Sequence, residues 1–459
     1  MLLETRREGV KLWLERSGTL PVHISLGSQS QERWSFPLRS EDTEAQALEN
    51  SYSGFMRTLT GFSLKWRSLS LNWLPPSVIR PLSLLQADDL PRLDRIHETG
   101  TLAAPHGETL DFNIPSPLLS LFEQSLALRS LHVEIFRDSD LDRIASAWAR
   151  LNVLNISVPA CENGTVIVQK LHRLCPLLTE CSLDLHVGTS NPAHSPPATE
   201  WTHLRKLKVS LNVAHGVGHN SELYSVFKSM TTPILSHLHV VVWGSTSIID
   251  QDEDNASTVG DDPPFHDLIL RSKCELVSLC LFMDLRKGFH DTLRLLPSLT
   301  SLTIAFYAGS PNYLVDPGTV FQLNTAVDAL TDKVRVCHGL KELRFVACHP
   351  ASAPSFLDLV RARARMQPSA LEKFTVEFIS YSSRDLEVLT SLLAEMKPEK
   401  LGVTVEWELE SGEDNESEED TSQAYKDPDP REGLPVNPKR GQRLVLSADG
   451  SEVRHYDPT

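Results

Sequence analysis

Histidines and aspartates are the residues of this chain whose spacing first invites a chemical reading. His215-Gly-Val-Gly-His219, followed by His237 and His239, brings four imidazoles close together in sequence. Paired histidine ligands four apart need one helical face, and the two intervening glycines each weaken a helix by about 1 kcal/mol. No His-Glu-x-x-His run occurs, so these histidines read as loop and strand side chains. Asp250-x-Asp252-x-Asp254, with Asp261 at the twelfth place, imitates a calcium loop. Asn255 stands where the turn needs glycine, Asp261 stands where a bidentate Glu is usual, and no amphipathic helix leads in. The run reads as a solvated acidic loop. There is no Gly-x-Ser-x-Gly elbow, P-loop or Gly-x-Gly-x-x-Gly run. An enzyme would instead need a cluster of polar groups of perturbed pKa in one pocket. The chain is therefore expected to be a binding protein, with no catalytic residue, metal or cofactor.

The remaining candidates are polar side chains that alternate with apolar ones in a recurring L-x-x-L-x-L phrase. It runs through Leu128-Arg-Ser-Leu131-His-Val133, Leu151-Asn-Val-Leu154-Asn-Ile156, Leu178-Thr-Glu-Cys181-Ser-Leu183, Leu204-Arg-Lys-Leu207-Lys-Val209 and Leu235-Ser-His-Leu238-His-Val240. It continues in Leu276-Val-Ser-Leu279-Cys-Leu281, Leu299-Thr-Ser-Leu302-Thr-Ile304, Leu340-Lys-Glu-Leu343-Arg-Phe345 and Leu371-Glu-Lys-Phe374-Thr-Val376. Weaker copies lie at Trp66-Arg-Ser-Leu69-Ser-Leu71 and Leu90-Pro-Arg-Leu93-Asp-Arg-Ile96. Each alternating stretch is a strand with one buried face, and such strands bury it by stacking beside their neighbours. The outward positions are then His132, Glu134, Asn155, Ser157, Ser182, Asp184, Lys208, Ser210, His239, Thr303, Arg344, Thr375 and Glu377. They mix both charges with hydroxyls, a composition suited to recognising a protein, and form the candidate binding face.

The elements that would hold this face follow from spacing. Fourth positions step by 23, 27, 26, 31, 41, 23, 41 and 31 residues from Leu131, against about 20–29 for leucine-rich repeats. Stretches around Leu118–Leu126, Leu141–Trp148, Val166–Leu174 and Phe356–Ala364 carry apolar residues at helical spacing. The expected fold is an α/β leucine-rich-repeat-like solenoid of degenerate repeats, with parallel strands on the concave face and helices on the convex face. Residues 1–26 read as a capping helix, apolar at Val10, Leu12, Trp13 and Leu14 and stopped by Gly18, followed by a strand. The solenoid is expected over 27–407, with loop insertions near 186–200 and 244–264. Residues 408–459 read as a mostly disordered acidic tail, with a hairpin suggested around Asp449-Gly450. Ser411 and Ser417 precede acidic residues and suit an acid-directed kinase.

Charge narrows the partners. The chain carries a net −16, and its last 52 residues, with 14 acidic and 6 basic side chains, supply half of it. An acidic body repels phosphate backbones and anionic bilayers, so neither nucleic acid nor membrane is an expected partner. No apolar run approaches a membrane span, and the charged start Met1-Leu-Leu-Glu4-Thr-Arg6-Arg7 lacks a signal-peptide core. A cytoplasmic or nuclear protein is expected. Seven cysteines without a Cys-x-x-Cys pair then read as reduced, buried thiols. The acceptor patterns at Asn155, Asn163, Asn255 and Asn415 read as coincidental.

Trp13-Leu14-Glu15-Arg16-Ser17-Gly18 and then Leu20-Pro21-Val22 resemble a segment that directly follows the F-box in the mushroom-type fungal F-box proteins. The phrase Leu128-Arg-Ser-Leu131-His-Val133-Glu-Ile135 resembles their repeat region, and the likeness covers roughly residues 8–405. The resemblance implies a substrate-recognition module of a cullin–RING ubiquitin ligase, its target an unknown protein. No Leu-Pro-x-Glu-type F-box opening precedes the segment, so the module reads as truncated or lost. A ligase adaptor would then be a partner only with an F-box restored. A free-standing scaffold or inhibitor without a ubiquitin link is the alternative.

Overall fold

A computed structural model describes residues 2–27, 43–72, 74, 76–99, 116–134, 141–142, 145–161, 163–187, 197–213, 219–243, 262–283, 288–305, 330, 337–348, 355–356, 358–359, 362–363, 371–380, 404–411, 443–447 and 454–456. The chain divides into two compact units, Met1–Val259 with Pro264–Cys274, and Gly260–Pro263 with Glu275–Thr459.

In the first unit the phrases become strands, in chain order. These are β1 (Val22–Gly27), β2 (Trp66–Asn72), β3 (Arg95–Thr99), β4 (Ser130–Glu134), β5 (Val153–Cys161) and β6 (Glu180–Val187). After them come β7 (Thr199–Glu200), β8 (Lys206–Val213), β9 (Met230–Thr231) and β10 (His237–Trp243). Apart from β7 and β9, which form a small sheet of their own, each strand pairs in parallel with the next. The fourth positions of the phrase fall in one register row, Leu131 with Leu154, Cys181, Leu207 and Leu238, and all are buried. Strands that are neighbours in sequence lie side by side because each must cover the previous one's apolar face.

Parallel neighbours need a crossover, and helices supply it. Described helices are Leu2–Arg16, Thr43–Thr60, Ser116–Gln124, Gly164–Leu174, His219–Lys228 and His266–Ser272, with the short Pro76–Ile79 and Ala145–Trp148. In Gly164–Leu174 the apolar spacing buries Ile167, Val168 and Leu171. Asn163 caps that helix, its Oδ1 accepting from the amides of Thr165 at 3.0 Å and Val166 at 3.2 Å. This explains why Asn163-Gly-Thr165 is a capping sequence; Thr165 is buried.

A second regularity joins repeat to repeat. In the phrases that begin at Leu128, Leu151, Leu178 and Leu204 the residue after the first leucine lends its carbonyl to two amides of the next repeat. Arg129 O accepts from Asn152 N at 2.8 Å and Val153 N at 3.0 Å, Asn152 O from Thr179 and Glu180, and Thr179 O from Arg205 and Lys206. Both amides at each strand entry are thereby satisfied, whatever the side chain at that position.

In the second unit, β11 (Ser278–Phe282), β12 (Ser301–Ala305), β13 (Glu342–Cys348), β14 (Lys373–Ser380) and β15 (Thr404–Ser411) pair in parallel, again in chain order. Leu279, Leu302, Leu343 and Phe374 share a buried row. Val277, Thr300 and Lys341 repeat the shared-carbonyl contact. Phe345, Phe356 and Phe374 pack as an aromatic cluster with centroids 4.7–6.3 Å apart. Two further strands, β16 (Arg443–Ser447) and β17 (Arg454–Tyr456), extend the sheet in antiparallel fashion from β15, β16 and β17 flanking the Asp449-Gly450 pair.

The fold is thus the parallel-stranded, leucine-rich-repeat-like α/β arrangement read from the phrases. The first helix spans Leu2–Arg16, and Gly18 takes the left-handed φ of 61° expected where the helix stops. Some local features differ. Of that helix's apolar residues Leu14 is buried, whereas Leu12 and Trp13 are exposed. β15 runs through the first four residues of the acidic tail; the rest of that tail to residue 442, Ser417 included, lies outside the described residues, as do the aspartates of 250–261 and His215.

Candidate protein-binding face

Alternation puts one side of each strand into the core and leaves the other facing away from it. In the first unit the outward side chains line up across strands. One row reads Ser25, Ser70, His97, His132, Asn155, Ser182, Lys208, His239. The next contains Glu134, Ser157, Asp184, Ser210 and Val241. Nine of the predicted positions therefore occupy two adjacent rows. Thr303, Arg344 and Thr375 form a corresponding row in the second unit, continued from Cys280. Glu377 pairs through its backbone with Glu408, and its side chain lies outside the described residues.

His132 lies flat on His97, the ring centroids 4.0 Å apart and the planes within 8°. Burial, and then the neighbouring His97, push His132 down to about 4; burial lowers His97 as well. Burial and Lys208 bring His239 to about 4. All three imidazoles are thus neutral near pH 7, offering hydrogen bonds and flat surface rather than charge.

Asp184 is the hub of the second row. His186 lies 3.9 Å from its Oδ2, and Ser157 Oγ donates to the same oxygen at 3.5 Å. The His186 imidazole beside it first, with Ser210 and Lys208 assisting against partial burial, holds this carboxyl below its ordinary value, and the same contact raises His186. The carboxylate stands between the hydroxyls and the imidazole. That order gives neither serine a base to activate it, unlike a nucleophilic triad, where the imidazole is in the middle.

Two predicted positions are enclosed rather than solvent-exposed. Ser210 is 6 % and Thr375 5 % exposed, although each lies in an outward row. Their side chains are short and their register neighbours are larger: Asp184 and Val241 beside Ser210, Arg344 beside Thr375. Alternation gives direction only; exposure depends on neighbour size.

Sequence reasoning passed over His97, His186, Arg95 and Lys206. Extending the alternation into the weaker copy at Leu93–Ile96 and one step past Asp184 would have found the two histidines. Among the described residues no group of three or more His, Cys, Asp or Glu is arranged to hold a metal ion, and no helix is long and apolar enough to cross a membrane. Cys175, Cys181, Cys274, Cys280 and Cys337 are free thiols, and burial raises Cys175 to about 12 and Cys274 and Cys337 to about 11. No protein-family model matches the chain, and no curated protein matches it in sequence.

Proposed function

We propose that the chain is a protein-binding repeat module whose outward strand positions hold a target protein. The observation that carries this reading is the register row from His97 to His239: six strands present unlike polar side chains side by side on one face. A row built from successive repeats reads a partner position by position, because each repeat contributes its own residue. By its resemblance to the mushroom-type F-box proteins, the module is the substrate-recognition part of a ubiquitin-ligase receptor. A photo-crosslinking amino acid at Ser182 or Asn155, in extract of the source cells, tests the face. One discrete crosslinked protein, absent when the crosslinker replaces the helix residue Gln169, is the expected result; identical products from both placements would sink the reading. A pull-down of the small ligase adaptor tests the finer part. Recovery supports the receptor role, and failure with and without upstream coding sequence leaves a scaffold or inhibitor.

A further inference from the structure

Charge is unevenly placed on the strand face of the first unit. Where the strands from β2 to β10 begin, they present Arg67, Arg95, Arg129, Arg205, Lys206 and Lys208, all exposed, against the acids Asp94 and Glu180. Both acids are already engaged. Asp94 lies 3.3 Å from Arg67 and 3.6 Å from Arg95, and Glu180 lies 2.8 Å from Lys206. Arg129 turns back onto the carbonyls of Leu126 and Leu128. Among the described residues Arg205 and Lys208 make no ion pair. A positive surplus thus stands at the strand-entry edge of a chain whose net charge is −16. Asp184, one row on, interacts with Lys208 as well as with His186 and Ser157, and the remaining edge cations Arg67, Arg95, Arg129, Arg205 and Lys206 still outnumber Asp94 and Glu180.

The surplus falls in two places, Arg67 and Arg95 on β2 and β3, and Arg205, Lys206 and Lys208 at β8. Four strand-to-strand steps separate β3 from β8, about 19 Å at roughly 4.8 Å each. An extended chain covers that distance in about six residues. Between the two places lie Asn152, Asn155, Thr179 and Ser182, uncharged and able to hydrogen-bond, together with Arg129, which is folded onto its own carbonyls, and Glu180, which is paired with Lys206.

We propose that this edge holds an extended acidic segment of the target protein, lying across the strands, with its carboxylates grouped at two points about six residues apart. The inference rests on the binding-face reading and names the chemistry the face selects. A polynucleotide fits less well: its charge continues past the edge to meet Glu134, Asp184 and an acidic body.

The test is fluorescence anisotropy with the full chain and a labelled peptide carrying two Glu pairs about six residues apart, separated by Ser and Asn. It should bind more tightly than its Gln counterpart and than a peptide with the four Glu adjacent. Arg95→Gln and Lys208→Gln should each weaken it about tenfold. Lys170→Gln, on the helix Gly164–Leu174, should leave it unchanged. Both edge residues are exposed, and circular dichroism checks that the variants keep their fold. Equal binding of the three peptides, indifference to Arg95 and Lys208, or equal competition by a single-stranded oligonucleotide of matched charge would overturn the proposal. The crosslinking at Ser182 reads the parent idea separately. A protein crosslinked equally by the wild type and by the Arg95→Gln/Lys208→Gln variant sinks the acidic segment and keeps the face; the lack of any specific crosslink sinks the face.

Discussion

Gly164→Ala puts one methyl group into the tightest of the described glycine positions. A Cβ there would lie 3.0 Å from Leu185 Cδ1, 3.1 Å from Glu222 Oε1 and 3.1 Å from Val226 Cγ2. Leu185 comes from β6, while Glu222 and Val226 come from the helix His219–Lys228, so the methyl is pinched between two neighbouring repeats. Glu222 has little room to yield, because its Oε1 accepts the buried Gly164 amide at 2.7 Å. Forcing a group into such a site costs about 1–3 kcal/mol. Alanine returns up to about 1 kcal/mol through helix propensity, less at a first turn. The net expectation is a loss of about 1–2 kcal/mol. With two compact units a single unfolding midpoint would blend both, so local hydrogen exchange is the better assay. Amides of β5, β6 and β8 should lose about ten-fold protection, those of β13 and β14 none. Val226→Ala in the same molecule should restore part of the loss beyond additivity. Protection unchanged or raised by Gly164→Ala would refute the reasoning, since helix propensity would then outweigh the contact.

Three further outcomes are expected. Asp184, held low by His186, favours the fold above its ordinary pKa and loses that contribution as pH falls through its lowered value; His186, raised by Asp184, contributes below its ordinary pKa and loses it as pH rises through the raised one. His186→Ala should therefore move the Asp184 midpoint upward in an NMR titration, and an unmoved midpoint would dismiss the contact. His132 and His239 titrate in the fold near 4 instead of 6.5, so the unfolded chain takes up more protons between those values and stability should fall as pH drops through that window; denaturation curves at pH 7 and 5 check it, and replacing both histidines with Asn should flatten the difference. Phe374→Ala removes the fully buried ring that meets Phe345 and Phe356, at about 3–5 kcal/mol, and should expose β13 and β14 to exchange while β5 and β6 stay protected.

What could be read from sequence and what could not divides along one physical line. Leu131, Leu154, Leu207, Leu302 and Leu343 announce their strands because a one-sided strand needs its apolar residues two apart, and the pattern is local. The shared-carbonyl ladder is just as regular but leaves little trace, since its bonds are made by backbone amides whatever the residue, and a hydroxyl joins them only at Thr179, Ser236 and Thr300. β15 shows the opposite case: Val405, Trp407 and Leu409 alternate plainly, yet the acidic residues between and after them pull a composition-based reading towards disorder.

The candidate site obeys the same division, with one more layer. Direction follows from alternation, so every described outward position falls in its row. What a row does depends on register, which fixes the neighbours. The stacking of His97 on His132, the Asp184–His186 contact and the enclosure of Ser210 each join residues from different strands or across a pleat. Register in turn was implicit in the phrases, because aligning their fourth positions reproduces Leu131 beside Leu154 and Leu207 beside Leu238. That alignment also sets Glu180 with Lys206, whereas Arg95 meets Ser130 only because Ile96, and not Leu93, occupies the fourth-position row, three residues on from the weaker copy as read. In a repeat fold the binding chemistry is thus a property of columns rather than of segments: each phrase alone looks like an ordinary half-buried strand, and the row of unlike side chains exists only once the repeats are set against one another.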